Sequence, residues 1–338
     1  EKRGIFFWVS LVTLVFAACF ALMAYSAGQD GNWDFYNYHF YNAFAFFNDR
    51  IWWDIQPAQR QTYFNPWLDI PFYWLTQHLG VLIASFAYSM IQSLQAPAVF
   101  AISYVFLRSR SIGRQAAIPG AIALATLAAL APLNFLLVGT TTGDNTTASL
   151  VLIGMACFVI ALSNVSNQRQ QSQTTILWCL AGGLMGLSVG LKLTNAPFAI
   201  AMVLCALLAP VGFRHKQKIL LLVSFSCLGG FLLGYGYWGW FLYDQFQNPL
   251  FPHFNHIFQS EYMKPVALSD HAYKAPTLAG KIFYPFLFNI FTGEFYYQRF
   301  LDLRIPLVLV ACTLVLLALL ISSKARQRLV ESPISATI

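Results

Sequence analysis

Long apolar segments recur along the whole 338-residue chain and are separated by shorter polar stretches. An α-helix needs about 20 apolar residues to cross the roughly 30 Å hydrocarbon layer of a membrane. Only 10% of the residues are charged, against about 25% in a typical soluble domain. The pattern predicts an all-α polytopic membrane protein with about eight transmembrane helices. The predicted spans are 5–27, 80–107, 116–137, 146–163, 175–191, 196–211, 219–242 and 304–322.

The chain carries none of the short motifs that mark nucleotide-binding or hydrolytic enzymes. It has no Walker A loop, dinucleotide fingerprint, HExxH or GxSxG sequence. Its six cysteines all fall inside the apolar blocks, where they are explained as small apolar side chains. His253 and His256 are three residues apart, but no third ligand follows at a diagnostic spacing. The sequence therefore predicts no metal site from its own motifs.

Basic residues are distributed unevenly between the two sides of the predicted membrane. With the N-terminus inside, the inner segments carry 12 of the 20 Lys and Arg residues and 2 of the 13 acidic residues. Cytoplasmic loops are enriched in Lys and Arg, which favours this orientation. We predict a multi-pass protein of the inner (plasma) membrane with a cytoplasmic N-terminus and an active face that is periplasmic or extracellular. The positive net charge then reflects topology, and no nucleic-acid partner is predicted.

The predicted outer segments differ from the inner loops in length and composition. The inner loops are short and plain, whereas the outer segments are long and rich in aromatic residues, Asn, Asp and His. Functional residues concentrate in loops that a rigid scaffold positions. We divide the chain into a transmembrane module, 1–242, with a first outer loop at 28–79, a second outer segment with interfacial helices, 243–303, and a last transmembrane helix with a cytoplasmic tail, 304–338.

The first outer loop contains two stretches of interfacial character. Residues 35–47 are mostly aromatic and predict an amphipathic helix in the headgroup zone, where aromatic belts are common. The apolar stretch 66–79 is too short to span the membrane and predicts a second interfacial segment. The aromatic side chains of both stretches either contact a substrate or simply sit among lipid headgroups.

Ionisable residues at the outer helix ends are the candidate functional groups. A charge at that depth in the membrane costs free energy, and the charges that are kept there usually have a function. Asp30 and Asp34 follow the first span at positions i and i+4. Asp144 stands at the start of the fourth span, where it either caps the helix or belongs to a site. Lys192 ends the fifth span among apolar residues, and it either snorkels or binds an anion such as a lipid phosphate. Arg299, before the last span, either anchors a phosphate or marks the interface.

Several of these features follow one another in an order that a known superfamily shares. Asp34 opens the first outer loop, and the sequences YFNP at 63–66 and FYWL at 72–75 close it. Asp144 opens a span, and Lys192 stands in the sequence GLSVGLKLTNAP. In this order, over roughly residues 5–262, the chain resembles the GT-C superfamily of membrane glycosyltransferases, which includes the lipid A aminoarabinose transferase and the protein O-mannosyltransferases. The later aromatic and acidic positions that match are Trp238, Trp240, Phe254, Phe258 and Glu261.

The resemblance implies a function and residue roles. It implies an integral membrane glycosyltransferase that moves a sugar from a polyprenyl-phosphate donor to an acceptor on the non-cytoplasmic face, with inversion at the anomeric carbon. Asp34 would be the general base, and Lys192 with Arg299 would bind the donor phosphate. Asp144 and Asp30 would be the second acid and acceptor ligands. The implied sugar and lipid contacts are Trp33, Tyr36, Tyr38, His39, His253 and Glu261.

The partners implied by the resemblance are the lipid-linked donor, membrane lipid, and a glycan, lipid or protein acceptor. A divalent cation is left open as a cofactor. The chain departs from the superfamily beside Asp34, because an Asp-Glu pair is usual there and this chain has Asp34-Phe35. Superfamily members also often have more spans and a C-terminal soluble domain.

Two other functions fit the same composition. One is a non-catalytic GT-C-like subunit of a membrane complex with a membrane-protein partner, which the departure beside Asp34 keeps open. The other is a transporter of a lipid-linked sugar. Transporters are expected to carry ionisable residues near the bilayer midplane and repeated halves. The sequence contains no clear example of either feature.

Overall fold

Five helices in the described part of the chain are long and apolar enough, by length and composition, to cross a membrane. The computed structural model describes residues 2–51, 53–54, 56–165, 171–209, 211–268, 275, 277–290 and 301–323. All regular secondary structure within these ranges is helical, which confirms the all-α prediction. The five candidate spans are Gly4–Ala27, Val81–Ser109, Asp144–Ser163, Gln171–Leu191 and Phe213–Phe246.

The helices are numbered in chain order. The first eight are α1 (Lys2–Ala27), α2 (Phe40–Phe47), α3 (Ile70–Leu79), α4 (Val81–Ser93), α5 (Gln95–Ser109), α6 (Arg114–Ala129), α7 (Pro132–Leu137) and α8 (Asp144–Ser163). The next eight are α9 (Gln171–Leu191), α10 (Ala196–Leu208), α11 (Phe213–Phe231), α12 (Tyr237–Phe246), α13 (Asn255–Phe258), α14 (Leu278–Ile282), α15 (Tyr284–Ile290) and α16 (Arg304–Ile321). Two π-helical turns, Phe35–His39 and Leu232–Gly236, continue into α2 and α12.

The remaining three predicted spans fall on shorter helices. The segment 116–137 is divided between α6 and α7, because Ala131 is extended before Pro132. The segments 196–211 and 304–322 lie on α10 and α16, which are apolar but short. The count of eight spans therefore stays a prediction. In the second predicted outer segment, α13 to α15 are short, and 269–274, 276 and 291–300 lie outside the described residues.

Helices α9 and α11 form the most extensive helix pair of the fold. Glycines on α9 allow this contact, because a side chain at Gly186 would overlap the backbone carbonyl of Cys227. Gly182 and Gly190 similarly face the carbonyls of Val223 and Phe231. Small residues at every fourth position let two helix backbones approach closely. The pair is a rigid support for the residues that follow the end of α9.

A second packed region joins α1 to α5 and α6. Val12 of α1 is buried with Phe100 of α5 and Ala121 of α6. Arg304, at the start of α16, donates hydrogen bonds to the carbonyls of Leu127 and Ala128 and pairs with Asp302. These contacts tie the beginning of α16 to the end of α6.

Several non-spanning segments meet at one end of the helix bundle, which we call the loop-rich end. Its described segments are 28–51, 53–54, 56–80, 138–143, 192–195 and 247–264. The predicted helix at 35–47 is present as the π-helical turn Phe35–His39 followed by α2. Asn65 fixes the first of these segments, because its side-chain amide donates to the carbonyl oxygens of Gly190 at 2.9 Å and Gly234 at 2.8 Å.

Candidate functional site

Lys192 and Asp144 form an ion pair at the loop-rich end. The Lys192 Nζ lies 2.6 Å from Asp144 Oδ1 and 2.9 Å from the carbonyl oxygen of Thr142. Asp144 is the first residue of α8, and Gly143 holds the N-cap position. Asp144 is therefore not the N-cap residue of this helix. Its carboxylate instead positions the ammonium group of Lys192.

Asp34 lies beside the hydroxyl of Tyr38, four residues later. Asp34 precedes the π-helical turn and makes no cap hydrogen bond. Burial raises the pKa of Tyr38, and the nearby carboxylates of Asp34, Asp69 and Asp144 raise it further. Tyr38 therefore lies near three aspartates. The Asp34 side chain is partly exposed.

His39 and Asp69 form a buried pair that the sequence analysis did not predict. The His39 Nδ1 lies 2.7 Å from Asp69 Oδ1, and both side chains are less than a tenth exposed. Burial raises the pKa of Asp69, while His39 and Lys192 act in the opposite direction. The second ring nitrogen of His39, Nε2, is buried and has no hydrogen-bond partner among the residues that the structure describes. His39 was predicted only as a sugar or lipid contact.

These contacts bring Asp34, Tyr38, His39, Asp69, Asp144 and Lys192 together, and we call this set the aspartate–lysine cluster. Asp69 could have been found from the sequence, because it is an isolated carboxylate between Pro66 and Pro71 in an apolar stretch. Such a residue is a functional candidate by default. His39 could not have been identified as its partner from the sequence, because the two residues are 30 positions apart and no pattern pairs them.

The loop before α8 is held in place by Gln92 of α4. The Gln92 Oε1 accepts from the backbone N–H of Gly139 at 2.7 Å, and its Nε2 donates to the carbonyl of Thr140 at 3.3 Å. Gly143 has φ of +79°, and a side chain there would overlap Leu68. Gly143, which precedes Asp144, therefore lies directly against Leu68, which precedes Asp69. Another residue at this position would strain the backbone and displace the Leu68 side chain.

Asp30 has a different environment from Asp34. It is buried, and its Oδ2 accepts hydrogen bonds from the backbone N–H of Thr141 at 2.9 Å and from the Thr141 hydroxyl at 3.0 Å. Its Oδ1 accepts from the backbone N–H of Asn32 at 3.2 Å. Residues 28–32 are not helical, so Asp30 and Asp34 do not lie on one helix face in spite of their i, i+4 spacing. Asp30 links the end of α1 to the loop before α8.

The other residues that were predicted to contact sugar, lipid or phosphate differ in their surroundings. His253 stacks on Phe64 at 5.8 Å between ring centroids, and Phe64 packs against Tyr38 at 5.7 Å. Burial lowers the pKa of His253, and Arg60 lowers it further. Trp33, Tyr36 and Glu261 are exposed, and Arg299 lies outside the described residues. Within the described ranges, no three His, Cys, Asp or Glu side chains are placed to share a metal ion.

The arrangement has two chemical capacities. A lysine ammonium group has three N–H donors, and Lys192 uses two of them on Asp144 and Thr142. Among the described residues the third has no hydrogen-bond partner, so an anion can bind to it. Asp34 is a partly exposed acidic side chain near Tyr38. A carboxylate in that place can accept a proton from a hydroxyl that comes near it.

No protein-family model, curated protein or solved structure matches this chain. The resemblance to the GT-C superfamily therefore rests on the sequence motifs alone. What the protein does has to be argued from the aspartate–lysine cluster and its position at the ends of apolar helices.

Proposed function

We propose that the protein is an integral membrane glycosyltransferase that moves a sugar from a polyprenyl-phosphate donor to an acceptor on the non-cytoplasmic face. The observation that carries the proposal is the meeting of Asp34, Asp144 and Lys192 around Tyr38 and Asp69. These residues were selected separately, from three distant parts of the chain. A base and a cation at one site are the two groups that a glycosyl transfer from a phosphate requires.

Lys192 is the donor-phosphate ligand in this proposal. Its side chain is only a quarter exposed, and Asp144 fixes its direction. A charge-assisted hydrogen bond from its remaining N–H to a phosphate oxygen stabilises the negative charge that develops as the phosphate leaves. Arg299 is proposed as a second phosphate ligand on the basis of the sequence alone.

Asp34 is the general base in this proposal. The acceptor hydroxyl oxygen attacks the anomeric carbon and forms the new glycosidic bond. The bond from that carbon to the phosphate oxygen breaks, and its electron pair stays on the polyprenyl phosphate. The hydroxyl proton passes to the Asp34 carboxylate. One displacement inverts the anomeric carbon, so a single base suffices.

The position of the cluster supports a lipid-linked donor. It lies at the loop-rich end, beyond the ends of α1 and α9 and at the start of α8. Large exposed aromatic side chains surround this end, among them Trp33, Tyr36, Trp240 and Tyr243. Aromatic residues of this kind favour the headgroup level of a bilayer, where a lipid phosphate lies. The distribution of Lys and Arg in the sequence favours the non-cytoplasmic side for this end.

A reconstituted assay tests the proposal. The purified protein in liposomes is given radiolabelled polyprenyl-phosphate sugars, one sugar at a time, together with extracted membrane glycans, lipids and proteins as acceptors. We expect transfer from at least one donor, release of polyprenyl phosphate, and an inverted anomeric centre by NMR. Failure of every donor, together with no binding of polyprenyl phosphate, would contradict the proposal. Binding without transfer would favour the non-catalytic subunit.

A further inference from the structure

A groove of about 530 Å³ opens between α1 and α6, at the opposite end of α1 from the aspartate–lysine cluster. Both helices pack on α5, where Val12, Phe100 and Ala121 are buried together. The groove is lined by Trp8, Arg114, Gln115, Ile118, Pro119 and Ile122. The distribution of Lys and Arg in the sequence favours the cytoplasmic side for this end of the bundle.

The lining of the groove changes from charged to apolar along α6. Arg114 is the first residue of this helix, and Ile118 and Ile122 follow it at intervals of four on the same face. At about 1.5 Å of rise per residue, Ile122 lies roughly 12 Å farther along the helix axis than Arg114. Trp8 lines the groove from α1, and tryptophan favours the boundary between headgroups and acyl chains. The groove therefore has a charged end and a hydrocarbon end, as a phospholipid has.

Arg114 supplies the charge at one end of the groove. Its guanidinium lies over Gly4 of α1, because a Cβ added to Gly4 would overlap Arg114 Nη2. The Arg114 side chain is partly buried, and no residue of the described chain accepts a hydrogen bond from it or forms an ion pair with it. Arg304, by contrast, pairs with Asp302. A guanidinium group has five N–H donors in a planar arrangement that suits a phosphate, so Arg114 is a free site for one.

Pro119 adds a hydrogen-bond acceptor near the same end. Proline lacks the N–H that would otherwise bind the carbonyl oxygen four residues earlier in a helix. Pro119 lies inside α6, so the carbonyl oxygen that loses its usual donor is that of Gln115, which also lines the groove. A backbone group freed in this way at membrane depth needs another partner. A headgroup hydroxyl next to a phosphate on Arg114 can donate to it.

We propose that this groove binds an anionic phospholipid of the inner leaflet, with the phosphate on Arg114 and an acyl chain along Trp8 and Ile122. Basic pockets between membrane helices on the cytoplasmic side suit anionic headgroups. A free phosphate ion makes no contact with the apolar half of the groove, and a zwitterionic lipid brings a second cation close to Arg114. Phosphatidylglycerol combines a net negative charge with hydroxyl groups that can donate to the Gln115 carbonyl.

Quenching of Trp8 fluorescence by lipids with brominated acyl chains reports which lipid occupies the groove. The protein is placed in nanodiscs of phosphatidylcholine and phosphatidylglycerol at varied ratios, with bromine on one lipid at a time. The emission of Trp8 is obtained by subtracting the spectrum of a Trp8→Phe protein, measured in each background. We expect Trp8 to show a preference for phosphatidylglycerol of about fivefold, which is the effect of one basic residue near a membrane surface.

Substitutions of Arg114 show whether its charge causes the preference. Arg114→Gln should remove the preference for phosphatidylglycerol at Trp8, and Arg114→Lys, which keeps the charge, should retain most of it. Arg110→Gln is the matched control and should change nothing, because Arg110 lies over the Phe106 ring and does not line the groove. Equal quenching by the two lipids in the unsubstituted protein would overturn the proposal. So would an unchanged preference in Arg114→Gln.

Inorganic phosphate separates a lipid site from a site for a free anion. Nanodiscs leave both faces of the protein open to the solution, so added phosphate reaches Arg114. Sodium phosphate and sodium chloride of equal ionic strength should weaken the preference for phosphatidylglycerol equally, because both only screen the charge. A much greater loss in phosphate would show a free-anion site and overturn the lipid assignment. These measurements involve no sugar transfer, so their outcome is independent of the proposed function.

Discussion

The ammonium group of Lys192 donates to a carboxylate oxygen of Asp144 at 2.6 Å and thereby joins the end of α9 to the start of α8. The two residues are 48 positions apart. The contact fixes the direction of Lys192 and leaves one of its N–H donors for an anion. In the proposed function, Asp144 is thus a positioning residue, and it acts on the donor through Lys192.

Replacing Lys192 should mainly weaken donor binding. Lys192→Ala removes a charge-assisted hydrogen bond worth about 1.5–3 kcal/mol, so the Kd for polyprenyl phosphate should rise roughly tenfold to a hundredfold. Binding is measured by titration of the purified protein in detergent. Lys264→Ala, on an exposed residue at the same end, is the control. An unchanged Kd in Lys192→Ala would remove Lys192 from the phosphate site.

The effect of Asp144 on donor binding should depend on the presence of Lys192. Asp144→Ala should weaken donor binding on its own, and it should have little further effect in a Lys192→Ala background, since its partner is then absent. Such a double-mutant cycle is expected to give a coupling of roughly 0.5–3 kcal/mol between contacting residues. Fully additive effects would show that Asp144 acts independently of Lys192.

Glycines on α9 should differ sharply in their tolerance of a methyl group. Gly186→Ala places a Cβ against the Cys227 carbonyl and should lower the free energy of unfolding by about 1–3 kcal/mol or more. Gly183→Ala, one turn away, meets only the Ser226 carbonyl at 3.9 Å and should be neutral or slightly stabilising. Apparent thermal unfolding in detergent compares the two. Equal midpoints would contradict the close packing of α9 on α11.

The sequence was a good guide to individual helices and to isolated ionisable residues. The helix at 35–47 is marked by its own aromatic pattern, and Asp34, Asp144 and Lys192 stand out because charges are rare in the surrounding sequence. Their meeting could not be predicted, because it depends on how α8 and α9 pack. The His39–Asp69 pair was missed for the same reason.

Some local features carry no sequence signal. Asp30 and Asp34 have helical spacing, but the residues after Ala27 leave the helix, and Asp30 accepts hydrogen bonds from Thr141 instead. The segment 116–137 is mostly apolar, and hydrophobicity alone does not mark the break before Pro132. The π-helical turn at Leu232–Gly236 has no sequence signal either, although its Gly234 carbonyl binds Asn65.

Asn65 should be important for the stability of the loop-rich end. Asn65→Ala removes two donors from the Gly190 and Gly234 carbonyls, and we expect a loss of about 1–3 kcal/mol in the free energy of unfolding. Asn48→Ala removes one exposed hydrogen bond to Phe44 and should have little effect. Apparent unfolding midpoints measure both variants. Similar midpoints for the two would show that Asn65 does not hold the first segment in place.

Asp69 should make stability depend on pH in a defined direction. Burial raises its folded-state pKa above the ordinary value near 3.8, so the folded protein binds its proton more tightly than the unfolded chain. Its contribution to stability is complete below that value and is lost as pH rises through the raised pKa. The Asp69→Asn protein should lose less stability than the unsubstituted protein over this rise. Parallel curves of unfolding midpoint against pH would contradict the assignment.

The central claim is that Asp34 is the base in a glycosyl transfer, and one comparison tests it most directly. Transfer from the polyprenyl-phosphate sugar is measured with the unsubstituted protein, Asp34→Asn and Asp49→Asn in liposomes at equal protein content. Asp49 is exposed with φ of +50°, which asparagine also tolerates, so Asp49→Asn should transfer normally. Asp34→Asn should fold, bind polyprenyl phosphate and lose about 10²- to 10⁴-fold in rate. Normal turnover by Asp34→Asn would contradict the account.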